Sequence, residues 1–174
     1  KTECGLHVDL VVTVDRALAG RTSGYIDFLP LAQANGSAVL ITKDINAPET
    51  VAAIRTLAPD VVIVCGWQQM LGKEILSIAA RGTVGFHSSL LPRYRGHAPV
   101  NWAIIMGENK TGATFFYLDH RADCGDIIDQ EPFEITLADD CATVYAKSAE
   151  ACARMLVTHL PDIADGTVMR QHNP

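Results

Sequence analysis

Short apolar runs alternate, along the first half of the chain, with segments that can form helices. The runs are rich in β-branched residues and lie at residues 7–14, 38–42, 61–65 and 84–87. Near-continuous apolar strands are typical of a parallel sheet that is covered on both faces. Consecutive parallel strands need crossover connections, which are right-handed and usually helical. The alternation therefore predicts an α/β fold with a Rossmann-like, mostly parallel sheet and helices on both faces.

The second half of the chain predicts a change of strand direction. Residues 112–118 and 127–135 both have strand character, and the short loop between them indicates an antiparallel pair. Asp139 or Asp140 can cap a long last helix. From spacings of three and four, the predicted apolar face of this helix consists of Tyr145, Ala149, Cys152, Leu156 and Leu160.

The length of 174 residues is enough for one domain with a core of its own. We expect that domain to span residues 1–166 and to be followed by a polar tail at residues 167–174. A doubly wound sheet usually begins with a strand, a glycine turn and a helix. Because the first predicted strand starts at residue 7, the first strand–helix unit is expected to be missing from this sequence.

Charge and cysteine content narrow the class of protein. The formal net charge of −6 argues against non-specific binding of nucleic acid, which needs a basic surface. No apolar run approaches the roughly 18 residues of a membrane-spanning helix, and the N-terminus lacks the apolar core of a signal peptide. The five cysteines are odd in number and form no CxxC pair, which predicts reduced thiols in a cytoplasmic protein. They are Cys4, Cys65, Cys124, Cys141 and Cys152.

His87 directly follows the fourth predicted strand. In open α/β sheets, ligands bind outside the carboxyl ends of the strands, and histidine is suited to proton transfer near neutral pH. The alternative is a strand-end histidine that is bonded to a neighbouring carbonyl group. A loop with Asp119, His120, Asp123 and Asp126 follows the fifth strand, and we expect its strand end to converge with that of His87. A carboxylate on the imidazole would suit the attack of an amine on a carbonyl.

Other interpretations of these residues stay open. Loop aspartates are often solvated or act as caps. Arg93 and Arg95 can each bind a carboxylate or phosphate through two hydrogen bonds, or can be surface charges. Cys124 could act as a thiolate nucleophile, although no sequence feature marks it. The side chains His87, Asp119, His120 and Asp123 are of types that bind metals, although their spacing is not compact.

Four stretches carry a resemblance to a known family. SLLPRYRG, NWAII, GENKTGATFFYLD and ADCGDII are similar to segments of the formyltransferases that use 10-formyltetrahydrofolate, and the similarity runs from about residue 8 to residue 166. It implies a formyltransferase catalytic domain. In that family an Asn, a His and an Asp carry out catalysis. His87 and Asp123 match the last two, whereas Gly85 stands at the Asn position.

The Gly85 substitution matters because the family Asn is thought to hold the formyl oxygen. Loss of one such donor costs about 2.7–4 kcal/mol. Another donor could replace it, the chemistry could be slow or altered, or the protein could be a silent homologue that binds folate or a sugar.

The resemblance also implies binding sites for the folate and the acceptor. It places the pterin against Gln68, Gln69, Met70 and Leu71 and against the loop with Asp119 and Ala122. It places the acceptor near Ser89, Arg93, Tyr94, Arg95 and His97. The implied co-substrate is 10-formyltetrahydrofolate, and no metal is implied.

The implied acceptor is a primary amine. The PxYRG pattern is shared with sugar N-formyltransferases, which favours an amino group of a nucleotide-linked sugar as the acceptor. A homodimer is a further open alternative. The acidic charge and the end of the sequence soon after the last predicted helix lower the expectation of a methionyl-tRNA substrate. A formyl-folate hydrolase is a further alternative, because water could replace the amine.

Overall fold

The computed structural model describes residues 6–21 and 24–174. Cys4, one of the predicted free thiols, lies outside the described residues. The chain divides into two compact units, Lys1–Pro59 and Asp60–Pro174. Among the described residues, no helix is both long enough and apolar enough to cross a membrane.

The N-terminal unit contains a parallel pair of strands. Strand β1 pairs with β2 from Leu10 opposite Ala38 to Thr13 opposite Ile41. Helix α1 ends at Gly36, whose φ of 71° is left-handed and therefore favours glycine. The elements of this unit are β1 (Leu10–Thr13), a 3₁₀ helix (Arg16–Arg21), α1 (Leu29–Asn35), β2 (Ala38–Ile41) and α2 (Pro48–Thr56).

The C-terminal unit contains a four-stranded sheet in the spatial order β3-β4-β5-β6. Strands β3 and β4 are parallel, whereas β4–β5 and β5–β6 are antiparallel. The predicted α/β class and the predicted antiparallel pairing of the last two strands are confirmed. The elements are β3 (Val62–Val64), α3 (Lys73–Leu76), β4 (Thr83–His87), α4 (Pro99–Ile105), β5 (Lys110–Tyr117), β6 (Ile127–Glu134) and α5 (Cys141–Asp165).

The direction of β5 contradicts one sequence-based prediction. Val84 pairs with Tyr117 and His87 pairs with Thr114, so β5 ends beside the beginning of β4. The carboxyl ends of β4 and β5 therefore do not converge. The physical reason is that the chain returns through α4 and enters β5 beside the end of β4.

The two faces of β4 and β5 have different neighbours, because side chains alternate along a strand. Val84 and Phe86 share one face, where the Phe86 ring stacks on Phe115 with centroids 4.5 Å apart. Gly85 and His87 lie on the opposite face. The core of the first face consists of Val84, Ala113, Phe115, Tyr117, Ile128, Ala151, Met155 and Ile163.

Helix α5 begins and ends where the sequence predicts. Asp140 accepts a hydrogen bond from the Thr143 N–H in a capping box, and Gly166 closes the helix in a left-handed conformation. The predicted apolar face, however, is wrong by one position. Tyr145 is 43% exposed, and the fully buried positions are Val144, Ser148, Ala151, Met155 and Ile163. Ser148 can lie on this buried face because its hydroxyl donates a hydrogen bond to that of Ser88. Since serine is polar, the sequence pattern did not show that its position is buried.

Asp139, which precedes the cap, is expected to contribute pH-dependent stability. Its carboxylate accepts hydrogen bonds from Lys147 Nζ and from the N–H and hydroxyl of Thr136. Lys147 first, and then Thr136, hold the pKa of Asp139 well below its usual range. A depressed folded-state pKa stabilises the protein above the unfolded pKa, near 3.9, and this contribution is lost as the pH falls through the folded value.

We therefore expect Asp139→Asn to lower the free energy of unfolding in urea at pH 7. The deficit relative to the unsubstituted protein should shrink as the pH falls below about 4. Asp165→Asn, at the exposed end of α5, is the control and should show no such deficit. A deficit of the same size at pH 7 and pH 3 would contradict the assignment.

Candidate active site

His87 is the last residue of β4, and it is only 8% exposed. Its Nε2 lies 2.7 Å from the carbonyl oxygen of Tyr94. A carbonyl oxygen only accepts, so Nε2 carries the hydrogen and Nδ1 is the unprotonated nitrogen of the neutral ring. The carbonyl bond foreseen as the alternative for His87 is therefore present, and it leaves Nδ1 as the proton-accepting atom.

Asp123 lies opposite that nitrogen. Its Oδ2 is 3.6 Å from His87 Nδ1, which is longer than a hydrogen bond. In the neutral ring two proton acceptors thus face each other across a short gap. A proton on Nδ1, or an N–H donor between the two atoms, satisfies both. The pair is therefore arranged for proton transfer.

The aspartate loop, residues 118–126, reaches His87 by folding back over β4. The Tyr117 N–H binds the Asp126 carbonyl oxygen, which closes the loop at its base. A Cβ at Gly125 would lie 1.8 Å from the Tyr117 carbonyl oxygen, so this close approach requires glycine. Asp123 has a left-handed φ of 52°, and its Oδ2 accepts a hydrogen bond of 2.8 Å from the Gly96 N–H. Of the four loop residues expected near His87, Asp123 reaches it, by a route that the strand ends did not indicate, whereas Asp119 and His120 line a cavity beside α3.

A buried polar network holds the central loop, residues 88–98. The Thr114 hydroxyl donates to the Ser89 carbonyl oxygen and accepts from the Leu91 N–H and from Gln130 Nε2. Ser89 is fully buried, and its hydroxyl donates to the Arg93 carbonyl oxygen at 2.6 Å. These contacts favour a structural role for Ser89 over the predicted contact with an acceptor, because the side chain faces the interior.

The other residues predicted to bind the acceptor are engaged in different ways. The Arg93 guanidinium pairs with Glu108, and the Tyr94 hydroxyl donates to the same carboxylate oxygen at 2.6 Å. That hydrogen bond to Glu108 raises the pKa of Tyr94. Arg95 Nε donates to the Asp123 carbonyl oxygen at 2.8 Å, whereas His97 is exposed. Arg93 therefore ties the central loop to the turn between α4 and β5, and Arg95 ties the central loop to the aspartate loop.

The predicted folate residues lie within the turn between β3 and α3 and on the aspartate loop. Gln68, Gln69 and Met70 are exposed, and Leu71 is half-buried. An open cavity of about 330 Å³ lies between α3 and the aspartate loop, and of the predicted folate residues only Asp119 lines it. Its lining residues are Lys73, Leu76, Ser77, Asp119 and His120.

Asp119 lines this cavity, and its surroundings favour the ionised carboxylate. Burial opposes its ionisation, but hydrogen bonds from the Arg121 N–H and guanidinium outweigh burial and lower the pKa of Asp119. Ala122 is exposed, and its carbonyl oxygen accepts a hydrogen bond from Cys124 Sγ. Within residues 6–21 and 24–174, no three metal-binding side chains of His, Cys, Asp or Glu are grouped to hold an ion.

Four residues of the site were not found by sequence reasoning. Glu108 and Thr114 lie inside a stretch that carried the family resemblance, but nothing in the sequence gave them a role. Gln130 bonds the Leu91 carbonyl oxygen as well as Thr114. Asn173 donates to the carbonyl oxygens of Asp123 and Gly125 from far along the chain, and no local signal could have indicated it.

These features define an α/β protein with a buried histidine, His87, facing the carboxylate of Asp123 at the end of an inner strand of the sheet. The formyl transferase family matches residues 3–160 of the sequence, and the chain belongs to this family. This confirms the resemblance seen in the four sequence stretches. The match extends over both compact units.

Individual relatives show how the likeness is distributed. Methionyl-tRNA formyltransferase of Halothermothrix orenii is 38% identical over 141 residues, which are 81% of this chain and 45% of the relative. The chain thus spans less than half the length of that relative. Phosphoribosylglycinamide formyltransferase of Anaplasma phagocytophilum has a similar fold, with a TM-score of 0.77, 19% identity and coverage of 97% and 96% of the two chains.

A third relative has been solved with ligands. It is the formyltransferase PseJ of Anoxybacillus kamchatkensis in complex with UDP-4,6-dideoxy-4-formamido-L-AltNAc and tetrahydrofolate. Its TM-score is 0.69 at 18% identity, and the alignment covers 95% of this chain and 82% of PseJ. At this level of identity the likeness shows the fold.

Proposed function

We propose that this chain transfers a formyl group from 10-formyltetrahydrofolate to a primary amine. The observation that carries the proposal is the gap of 3.6 Å between His87 Nδ1 and Asp123 Oδ2, in a family whose members transfer formyl groups. We further propose residues 1–166 as the catalytic domain.

The proposed reaction needs one proton to move. The amine nitrogen forms a bond to the formyl carbon, the bond from that carbon to folate N10 breaks, and the proton that leaves the amine ends on N10. His87 Nδ1 can take this proton and pass it on, because Nε2–H stays bonded to Tyr94 throughout. Asp123 stabilises the protonated ring and, with Nδ1, orients the N–H of an incoming amine.

For the folate, we propose the region between the β3–α3 turn and the aspartate loop. The exposed turn residues Gln68, Gln69 and Met70 and the neighbouring cavity with Asp119 support this placement. The complex of PseJ with tetrahydrofolate supports a folate co-substrate on this fold.

For the acceptor, we propose an amino group of a nucleotide-linked sugar. Arg93 and Arg95 are bound to groups of this chain, and the sequence carries a net charge of −6. A polyanion such as tRNA is held by a broad basic surface, which this charge does not favour. The second candidate is methionyl-tRNA, which is favoured by the 38% identical relative.

The test is a mass-spectrometric assay with 10-formyltetrahydrofolate and a panel of nucleotide-linked amino sugars, run in parallel with methionyl-tRNA. A formylated sugar together with free tetrahydrofolate supports the proposal. Formyl-methionyl-tRNA alone would replace the proposed acceptor with the second candidate. Free folate without a formylated product would indicate a hydrolase, and bound folate without turnover would indicate a silent homologue. Asp123→Asn is the negative control.

A further inference from the structure

We infer that Asn173 is a positioning residue that, together with Arg95, holds Asp123 against His87. The inference rests on the proposed function. Asn173 is 3% exposed, and its amide group gives one hydrogen to the Asp123 carbonyl oxygen at 3.0 Å and the other to the Gly125 carbonyl oxygen at 3.1 Å. Both donors of a buried side chain are thus directed at the aspartate loop.

Arg95, in the central loop, forms with Asn173 a clamp on the Asp123 carbonyl group. One of its terminal nitrogens donates to Asn173 Oδ1 at 2.6 Å and to the Pro174 carbonyl oxygen at 2.7 Å. Its Nε donates to the same Asp123 carbonyl oxygen that Asn173 contacts. Every polar atom of the Asn173 side chain therefore has a partner, and the Asp123 carbonyl has two donors.

The segment that carries Asn173 is itself fixed to the sheet. Gln171 and Ile127 exchange both backbone hydrogen bonds at 2.8 Å. The Arg170 guanidinium lies 3.7 Å from the centroid of the Tyr117 ring, which is a cation–π contact. The predicted polar tail thus returns to the first residue of β6, and its anchor points adjoin both ends of the aspartate loop.

Asp123 needs such a restraint because of its backbone conformation. A φ of 52° is disfavoured for residues with a Cβ, and although aspartate tolerates it better than most, hydrogen bonds that fix this conformation help to retain it. Fixing the carbonyl group of Asp123 fixes the direction of its side chain, which the Gly96 N–H then holds 3.6 Å from Nδ1. Asn173 acts on catalysis through Asp123 and does not touch the reacting atoms.

Asn173→Asp is the test variant, because it keeps the size and the acceptor for Arg95 while removing both donors. We expect kcat for formyl transfer to fall about 100-fold, as for a displacement of a catalytic group by about 1 Å, with the KM for the amine nearly unchanged. The matched controls are His172→Ala and Gln171→Ala, because both side chains are exposed and the bridge from Gln171 to Ile127 uses backbone atoms. Both should keep the unsubstituted rate.

Two readouts that need no activity separate this inference from the proposed function. Amide hydrogen exchange by mass spectrometry should be faster in residues 119–126 of Asn173→Asp, while residues 83–87 of β4 stay protected. The ¹⁵N chemical shifts of the His87 ring should also move. If the unsubstituted protein transfers no formyl group, the proposed function fails, and these readouts still decide the inference.

A conservative change on the other side of the clamp gives a second test. Arg95→Lys keeps the charge but loses the planar guanidinium with its several donors, so we expect a smaller fall in kcat than for Asn173→Asp. The kcat of the double variant should be no lower than that of Asn173→Asp alone. The inference would be overturned if Asn173→Asp changed neither the hydrogen exchange of residues 119–126 nor the His87 signals. It would also be overturned if β4 lost as much protection from exchange as residues 119–126.

Discussion

Asp123→Asn is expected to lower kcat for formyl transfer by roughly 100- to 10,000-fold, the usual range for loss of a group in general acid–base catalysis. Asparagine has nearly the same shape, and its carbonyl oxygen can still accept from the Gly96 N–H. The backbone bonds from Arg95 and Asn173 are untouched. What disappears is the negative charge opposite Nδ1, and with it the stabilisation of a protonated His87 ring. The measurement is steady-state kinetics with the acceptor that the assay identifies.

His87→Ala should cause a loss of similar size, and the double variant should be little worse than either single one. Groups that act as a unit are strongly non-additive when they are removed together. His172→Ala, an exposed histidine of the C-terminal segment, is the control and should keep its rate. Asp123→Asn should unfold near the unsubstituted temperature, whereas His87→Ala should unfold at a lower temperature because the Tyr94 carbonyl oxygen loses its buried donor. Retention of the rate in either variant would remove that residue from the mechanism.

The strands and their class were predictable because runs of β-branched residues favour strands. The direction of β5 was not, since it depends on how α4 returns the chain to the sheet, which is a tertiary outcome. The buried stripe of α5 was missed for a local reason. Ser148 counted as polar in the pattern, whereas its hydrogen bond to Ser88 lets it occupy the centre of that stripe.

The site was predictable to the extent that short motifs encode it. The loop with Asp123 and Gly125 follows from a motif, and the structure explains the glycine by its contact with the Tyr117 carbonyl group. The clamp by Asn173 could not be predicted, because its partners lie 50 and 48 positions away and involve backbone atoms whose identity the sequence does not display. Glu108 was missed for another reason, because its partners are the side chains of Arg93 and Tyr94, residue types that are common on a surface.

Gly85 raises a separate question, because atoms of neighbouring residues occupy the space that the side chain of the family Asn would need. Gly85 lies on the same face of β4 as His87, so a side chain here would point toward the same site. A Cβ at this position would lie 3.1 Å from Leu118 Cδ1 and 3.2 Å from the Val64 carbonyl oxygen. Leu118 packs partly buried against Leu91, Phe116 and Ile127, so it cannot withdraw freely.

Gly85→Asn alone is therefore expected to lower both stability and rate, since overpacking costs about 1–3 kcal/mol. Gly85→Asn combined with Leu118→Ala removes the two side-chain contacts, leaves that with the Val64 carbonyl oxygen, and is designed to let the amide face the developing oxyanion, an interaction worth about 2.7–4 kcal/mol. We expect the double variant to exceed Leu118→Ala alone by about 100-fold in kcat, with thermal unfolding measured on all three variants to separate packing from catalysis. A double variant no faster than Leu118→Ala would mean that another donor already holds the oxyanion, and that the site is organised around glycine.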